Sequence, residues 1–105
     1  ILLNGTSGST VKNCVISDFE NLIMLEGSNH NRIFNNTLFN SGTFGVGLAK
    51  SNENTIFNNR GDGNDFLVGG FGSNNNIIEL NDATNGQNGM EFSGANNTIR
   101  FNCRA

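Results

Sequence analysis

The chain has 105 residues, which allows one domain. Its formal net charge of −3 excludes nucleic acid as a partner, because six scattered Lys and Arg residues do not form the basic stripe that phosphates require. Asn occurs 22 times and Gly 14 times, both of which disfavour helices, and every apolar run falls short of the ~20 residues of a membrane span.

The chain opens with Ile1-Leu2-Leu3, an apolar segment that predicts a short strand covering one end of the fold. A degenerate copy of a five-residue motif follows at Val11-Lys12-Asn13-Cys14-Val15. The later copies read I-F-N-N-T, I-F-N-N-R, I-E-L-N-D and I-R-F-N-C, beginning at Ile33, Ile56, Ile78 and Ile99. Counted from position 11, the copies are 22, 23, 22 and 21 residues apart. A repeat this short cannot bury its own apolar face, so the copies must stack as a solenoid.

Each repeat is predicted to contain two halves. The first half has an apolar-x-x-Asn-x-apolar pattern, as in Ile33-Phe34-Asn35-Asn36-Thr37-Leu38. The second half is a short alternating strand, as in Ile23-Met24-Leu25 and Val46-Gly47-Leu48. Alternation places one residue of each such strand on a common inward face, and these residues are Ile23, Val46, Val68 and Met90.

An asparagine recurs at one position of the motif and predicts a structural ladder. Asn tolerates left-handed backbone, and its amide carries both donors and acceptors, so stacked copies at a corner can bond to one another. Cys14 takes this position in the first repeat and indicates an irregular end rung. The predicted ladder consists of Asn36, Asn59, Asn81 and Asn102.

Two aromatic residues are candidates for binding. Phe34 and Phe57 each follow an inward isoleucine, so alternation turns both side chains outward on adjacent rungs, about 5 Å apart. Exposed aromatic rings on a polar sheet can stack on sugar rings or contact a partner protein. Packing of the two rings on each other, or cover by a loop, is the alternative.

The strongest acidic cluster is Asp62-Gly63-Asn64-Asp65, with Asp82 on the next rung. Paired carboxylates serve glycoside hydrolysis at separations of about 5–9 Å, and such a loop can also bind a hard cation through oxygen. A plain turn built of turn-forming residues is the alternative that we favour. No nucleophile–base pair can be named, and Arg32, Arg60 and Arg100 fall in different columns.

The remaining reactive residues predict structural roles. His30 lies in Ser28-Asn29-His30-Asn31 and is expected at a solvated corner. Cys14 and Cys103 lie about four rungs apart, or ~19 Å, which is too far for a disulfide. We expect free thiols in the core or in turns, with links between stacked molecules as the alternative.

Other solenoids fit the repeat less well. A leucine-rich repeat needs further leucines and a helical half, whereas Leu occurs only eight times here. Hexapeptide helices need a period divisible by six. Calcium-binding nonapeptide repeats need G-G-x-G-x-D, which Gly69-Gly70-Phe71-Gly72 matches only in part.

Segments such as Asn52-Glu53-Asn54-Thr55-Ile56-Phe57-Asn58-Asn59 and Gly94-Ala95-Asn96-Asn97-Thr98-Ile99 resemble right-handed parallel β-helix repeats of pectate-lyase-like and NosD-type proteins. The resemblance covers residues 8–105 and implies an all-β solenoid of about four to five rungs. It also implies polysaccharide enzymes that use acidic residues along one flank, with calcium and a basic residue in lyases. Copper delivery, which the NosD-type repeats suggest, is poorly served by one His, two Met and two distant Cys.

These patterns predict a single β-helix domain over residues 1–105, a fragment or processed part of a longer extracellular, cell-surface or periplasmic protein. The leading hypothesis is a structural or carbohydrate-binding module without a metal site or cofactor. The second hypothesis is a polysaccharide lyase, hydrolase or epimerase centred on Asp62, Asp65 and Asp82, with calcium as an optional cofactor. We also expect homo-oligomers formed by end-to-end stacking through the Arg104 end, because an uncapped solenoid exposes strand edges.

Overall fold

The computed structural model describes residues 1–100 and residue 102, and these form three parallel sheets without a helix. Sheet 1 contains β1 (Leu2–Asn4), β4 (Asn21–Glu26), β7 (Phe44–Ala49), β10 (Phe66–Phe71) and β13 (Gly89–Phe92). Sheet 2 contains β2 (Thr10–Lys12), β5 (Arg32–Phe34), β8 (Thr55–Phe57), β11 (Ile77–Glu79) and β14 (Thr98–Arg100). Sheet 3 contains β3 (Val15–Ser17), β6 (Thr37–Phe39), β9 (Arg60–Asp62) and β12 (Asp82–Thr84).

The register of the strands confirms the predicted solenoid. Each strand pairs in parallel with the equivalent strand of the next turn, so Ile33 lies beside Ile56, and Ile56 beside Ile78. The predicted short strand at the start of the chain is also present, since β1 pairs with β4. One detail differs from prediction, because the first half of each of the four repeats described in full is two three-residue strands that meet at a corner. Each of these four turns therefore has three strands.

Inward side chains from all three sheets fill the coil. The inward isoleucines of sheet 2 in the interior turns, Ile33, Ile56 and Ile78, are fully buried, and they meet the inward residues of sheet 1 and sheet 3 in one apolar cluster. Burying a side chain of this size stabilises the fold by about 1.5–3 kcal/mol. Its best-buried members include Ile23, Val46, Val68, Ile33, Ile56, Ile78 and Leu38.

The asparagine ladder is present in the interior of the coil. The Asn36 amide nitrogen Nδ2 donates to Asn59 Oδ1 at 3.0 Å, and Asn59 Nδ2 donates to Asn81 Oδ1 at 3.0 Å. Asn81 Nδ2 donates in turn to Asn102 Oδ1 at 3.0 Å. In the first repeat, the Cys14 backbone N–H donates to Asn36 Oδ1 at 3.0 Å, so the cysteine ends the ladder as predicted.

A second asparagine ladder, which the sequence reading did not identify, lies at the corner between sheet 1 and sheet 2. Asn54 Nδ2 donates to Asn76 Oδ1 at 3.2 Å, and Asn76 Nδ2 donates to Asn97 Oδ1 at 3.0 Å. The backbone N–H of Asn31 donates to Asn54 Oδ1 at 2.8 Å. Side-chain amides of asparagine therefore link neighbouring turns at two corners of the coil.

The backbone at the corners explains the abundance of Asn and Gly. At the bend between sheet 2 and sheet 3, Asn13, Asn35 and Asn58 have φ values of 57°, 55° and 54°. Asn tolerates this left-handed conformation better than other side-chain-bearing residues do. Leu80 occupies the equivalent position of the next turn with φ 59°, although it lacks that tolerance.

The structure describes one of the two predicted free thiols, and it does not describe the end of the coil near Arg104. Cys14 is a free, half-buried thiol whose Sγ contacts the Lys12 carbonyl oxygen at 3.3 Å. Cys103 and Arg104 lie outside the described residues, so the expected distance between the cysteines and the expected contact at the Arg104 end stay predictions. Within the described part of the chain, no helix is long and apolar enough to cross a membrane.

Candidate functional site

A groove of about 310 Å³ lies on the outer face of sheet 3. Leu38 and Gly61 are the inward residues of β6 and β9, so the residues on either side of them point outward. The groove thus collects side chains from two adjacent turns, which are 23 residues apart in sequence. Its lining consists of Thr37, Phe39, Asn40, Arg60 and Asp62.

The polar groups of the groove are only partly engaged within the protein. Asp62 Oδ1 accepts a hydrogen bond from Asn85 Nδ2 at 3.1 Å, which leaves the second carboxylate oxygen open. Arg60 and Asp62 are both exposed, and Arg60 has no ion pair among the residues that the structure describes. The groove therefore offers a cation, a carboxylate and a half-buried aromatic ring to a ligand.

The three predicted aspartates do not gather into one group. Asp62 and Asp82 project from the same face of β9 and β12, one rung and two residues apart, so their Cα atoms are separated by roughly 8 Å. Asp82 Oδ1 accepts a hydrogen bond from Thr84 Oγ1 at 2.9 Å. Asp65 lies beyond the corner that follows β9 and accepts a hydrogen bond from Asn88.

No metal centre is formed by the side chains of residues 1–100 and 102. Among these residues, no three His, Cys, Asp or Glu side chains come close enough to hold a metal ion. The calcium site near Asp62 stays a prediction. His30 occupies an exposed left-handed corner with φ 61°, where its Nε2 lies 3.5 Å from Glu53 Oε2.

Phe34 and Phe57 lie on the outer face of sheet 2, at the positions that alternation predicts. Their ring centroids are 4.8 Å apart, and the ring planes are inclined by only 11°. Each ring thus turns one face to the other, so cross-rung packing is present and fewer ring faces remain for a sugar. Their binding role stays a prediction.

The guanidinium group of Arg32 lies against this aromatic pair. Its central carbon is 5.0 Å from the Phe34 centroid and 5.4 Å from the Phe57 centroid, which is the distance of a cation–π contact. Further along the same column, Arg100 Nε donates to Glu79 Oε2 at 2.8 Å. The aromatic pair is therefore flanked by charged side chains.

A second aromatic cluster lies on the outer face of sheet 1 and was not expected from the sequence. The ring of Phe44 contacts Phe66 and Phe71, with centroids 5.7 and 5.6 Å away. It covers Gly69, where an added Cβ would clash with Phe44 Cε1. The absent side chain makes room for the ring, and the combination of terminal phenylalanines with the glycines Gly47 and Gly69 in β7 and β10 is the signal that would have located it.

The sequence reading also did not combine Phe39 and Arg60 with Asp62. In the sequence, Asp62 belongs to an acidic loop and Arg60 is one of three scattered arginines, whereas Phe39 belongs to the preceding repeat. The groove could have been located by identifying the outward residues of each repeat and comparing them between neighbouring repeats.

The comparisons with known proteins bear on the fold. Residues 1–104 match the family described as a right-handed beta helix region. The comparisons with curated proteins and with solved structures gave no match. The family match spans nearly the whole chain and agrees with the three parallel sheets and the repeat of about 22 residues. The chain belongs to the right-handed beta helix family.

Proposed function

We propose that this chain is a carbohydrate-binding β-helix module and that the groove on sheet 3 is its binding site. The supporting observation is the composition of the groove, which places Phe39 beside the charged side chains of Arg60 and Asp62. Pockets of about 300 Å³ or more that combine apolar surface with a few placed polar groups are typical ligand sites. A sugar ring presents matching surfaces, since it has apolar C–H faces and a rim of hydroxyl groups.

Each groove residue makes a different kind of contact with the sugar. Phe39 supplies an apolar surface for the C–H face of the sugar. Asp62 accepts hydrogen bonds from hydroxyl groups, and Arg60 donates several bonds in a fixed plane. Both side chains project from one short strand that is hydrogen-bonded on both sides, so the backbone beneath them is already ordered and binding needs to order only the side chains.

The proposal extends to location and role. Polysaccharides are abundant outside the cytoplasm, so we place the parent protein in the extracellular, cell-surface or periplasmic space. The ladders and the isoleucine column make the coil a rigid support, and the groove residues carry the interaction. In this arrangement the module holds a glycan without changing it.

Phe39→Ala and Arg60→Ala are each expected to weaken glycan binding at least tenfold, which corresponds to about 1.4 kcal/mol. The loss follows from removal of the apolar surface in one variant and of the planar donors in the other. A glycan array identifies a bound sugar, and isothermal titration calorimetry then measures its affinity for each variant.

Phe71→Ala is the matched control, because Phe71 is an exposed phenyl group on sheet 1, outside the groove. It should bind the glycan as the unmodified protein does. Equal affinity in Phe39→Ala, Arg60→Ala and Phe71→Ala would show that the groove is not the site.

The second candidate function is a polysaccharide lyase, hydrolase or epimerase. The observation that favours it is the position of Asp62 in the groove with Asp82 diagonal to it on the next rung, because glycosidases use a pair of carboxyl groups. Arg60 lies beside Asp82 in register and supplies the basic group.

Degradation of neutral and acidic polysaccharides, with and without calcium, separates the two functions. If the chain is a binding module, no product is released under any condition. Release of sugar that is lost in Asp62→Asn but kept in Asp65→Asn would establish the enzyme instead, since Asp65 lies beyond the corner.

End-to-end association remains part of the proposal. Among the described residues, β1 pairs with β4 and its other edge has no strand beside it, so we propose that a strand of a second copy pairs there. Ile1 and Leu2 are exposed at this end, which adds apolar surface to the contact. The opposite partner surface, near Arg104, lies outside the described residues.

A further inference from the structure

Two cations on the outer face of sheet 2 lack an acidic partner. Lys12 and Arg32 are exposed, and neither side chain makes an ion pair or a hydrogen bond with any of residues 1–100 and 102. The ion pairs in this range use Arg100 and His30 instead. Lys12 and Arg32 are therefore neighbouring cations that form no ion pair with a carboxylate of these residues.

Arg32 is held in place by the aromatic pair. Its guanidinium carbon lies 5.0 and 5.4 Å from the centroids of Phe34 and Phe57, and these two rings are themselves stacked at 4.8 Å. The cation–π contact restrains the side chain without using its N–H groups. The planar group is thus oriented, and its donors remain available for an oxyanion.

Lys12 lies close enough to act on the same ligand. It is in register with Phe34, and Thr10 is in register with Arg32, so the two cations are diagonal neighbours on adjacent rungs. Their Cα atoms are roughly 8 Å apart, a span that the long side chains of Lys and Arg can close around one anionic group.

We propose that Lys12 and Arg32 bind the carboxylate or sulfate group of an acidic glycan, with Arg32 forming paired hydrogen bonds and Lys12 supplying a second positive charge. This inference rests on the proposed carbohydrate-binding function and names the class of glycan. A nucleic acid is a poorer fit, because two cations are too few for its phosphate backbone.

The surface formed by Lys12 and Arg32 lies next to the groove, so one ligand can contact both. Phe34 ends β5 and Thr37 begins β6, so only the corner residues Asn35 and Asn36 separate the two outer faces. A polysaccharide chain that occupies the groove can therefore continue around the corner toward Arg32. The groove holds the sugar ring, and the two cations select glycans with an acidic group.

The test compares dextran with dextran sulfate, which share a backbone and differ in charge, and adds alginate as a carboxylate polymer. We expect dextran sulfate, alginate or both to bind at least tenfold more tightly than dextran, with an affinity that falls as salt increases. Arg32→Gln and Lys12→Gln should each remove most of this preference. Arg32→Lys should restore it only in part, because the ammonium group cannot form paired bonds to an oxyanion.

Lys50→Gln is the matched control, since it removes one exposed cation from a corner outside sheet 2 and should leave the preference unchanged. The polymer that binds identifies the anionic group as sulfate or carboxylate. If Arg32→Gln binds the acidic polymers as well as the unmodified protein does, the inference is wrong. A neutral glycan that binds through the groove without any preference for acidic polymers would also overturn it, while leaving the proposed function intact.

Discussion

Replacement of Asn59 by Ala is expected to destabilise the fold by on the order of 4 kcal/mol, which is a large part of the 5–15 kcal/mol of a typical domain. Asn59 lies in an interior turn and is only 1% exposed. Its side chain links three successive turns, so the loss of this amide affects neighbours on both sides.

The size of the effect follows from the hydrogen bonds of this amide. Asn59 Oδ1 accepts from the backbone N–H and the Nδ2 of Asn36, at 3.1 and 3.0 Å. Asn59 Nδ2 donates to the Ile33 carbonyl oxygen at 3.1 Å and to Asn81 Oδ1 at 3.0 Å. Alanine would remove all four of these bonds. The Asn36 backbone N–H would then be buried without this acceptor, at a cost of about 1–3 kcal/mol, and each of the other three lost bonds contributes about 0.5–1.5 kcal/mol. Asn36 Nδ2 would still donate to the Val11 carbonyl oxygen, and Asn81 Oδ1 would still accept from the backbone N–H of residue 59.

Urea unfolding followed by far-ultraviolet circular dichroism measures the change. Asn88→Ala is the control, because Asn88 is exposed and its side chain bonds only to Asp65. The control should change the free energy of unfolding by less than about 0.5 kcal/mol. If Asn59→Ala were as stable as Asn88→Ala, the ladder would not be a main source of stability.

Replacement of Ile56 by Ala is expected to lower the free energy of unfolding by about 3 kcal/mol, within the range of ~2–5 kcal/mol for buried Ile or Leu to Ala. Ile56 is fully buried and lies between Ile33 and Ile78 in the inward column of sheet 2. The substitution leaves a cavity in the middle of the coil, where hydrogen bonds to both neighbouring strands prevent collapse around it.

Position in the column should decide the cost. Ile56→Val removes one methylene group and should cost about 1 kcal/mol. Ile99 is 47% exposed in the last described turn, so Ile99→Ala should cost clearly less than Ile56→Ala. Equal losses at Ile56 and Ile99 in thermal or urea unfolding would mean that burial inside the coil does not determine stability.

The columns of the coil could be predicted because the repeat itself carries the information. A period near 22 residues aligns Ile33 with Ile56 and Asn36 with Asn59, and both alignments are present in the structure. The second ladder was visible in principle, since Asn54 and Asn76 are also 22 residues apart. It is hard to recognise in the sequence, because Asn is frequent at several positions of each repeat.

The division into three strands per turn could not be predicted from periodicity. Strands of three residues, such as β6 and β9, are too short to show a convincing alternation. The corner between sheet 2 and sheet 3 depends on left-handed backbone at Asn35 and Asn58, which many turns of other kinds share. The three-strand shape of a turn is therefore determined by tertiary contacts between neighbouring turns.

The groove was predicted only in part, because its residues do not repeat. Asp62 drew notice as an acidic residue, but Phe39 and Arg60 stand at outward positions where neighbouring turns carry different residue types. Outward residues do not pack in the core, so their residue types can differ from turn to turn and show no regular repeat. Their arrangement becomes clear only when adjacent turns are placed side by side.

Binding of a glycan in the sheet 3 groove can be tested directly, residue by residue. At 11.3 kDa the protein suits backbone NMR, in which amide chemical shifts are followed during titration with a glycan found on the array. We predict that the largest shifts fall on residues 37–40 and 60–62, with further shifts at residues 32–34 when the glycan is acidic. Shifts confined to sheet 1, or no shifts with any glycan of the panel, would contradict glycan binding in the groove.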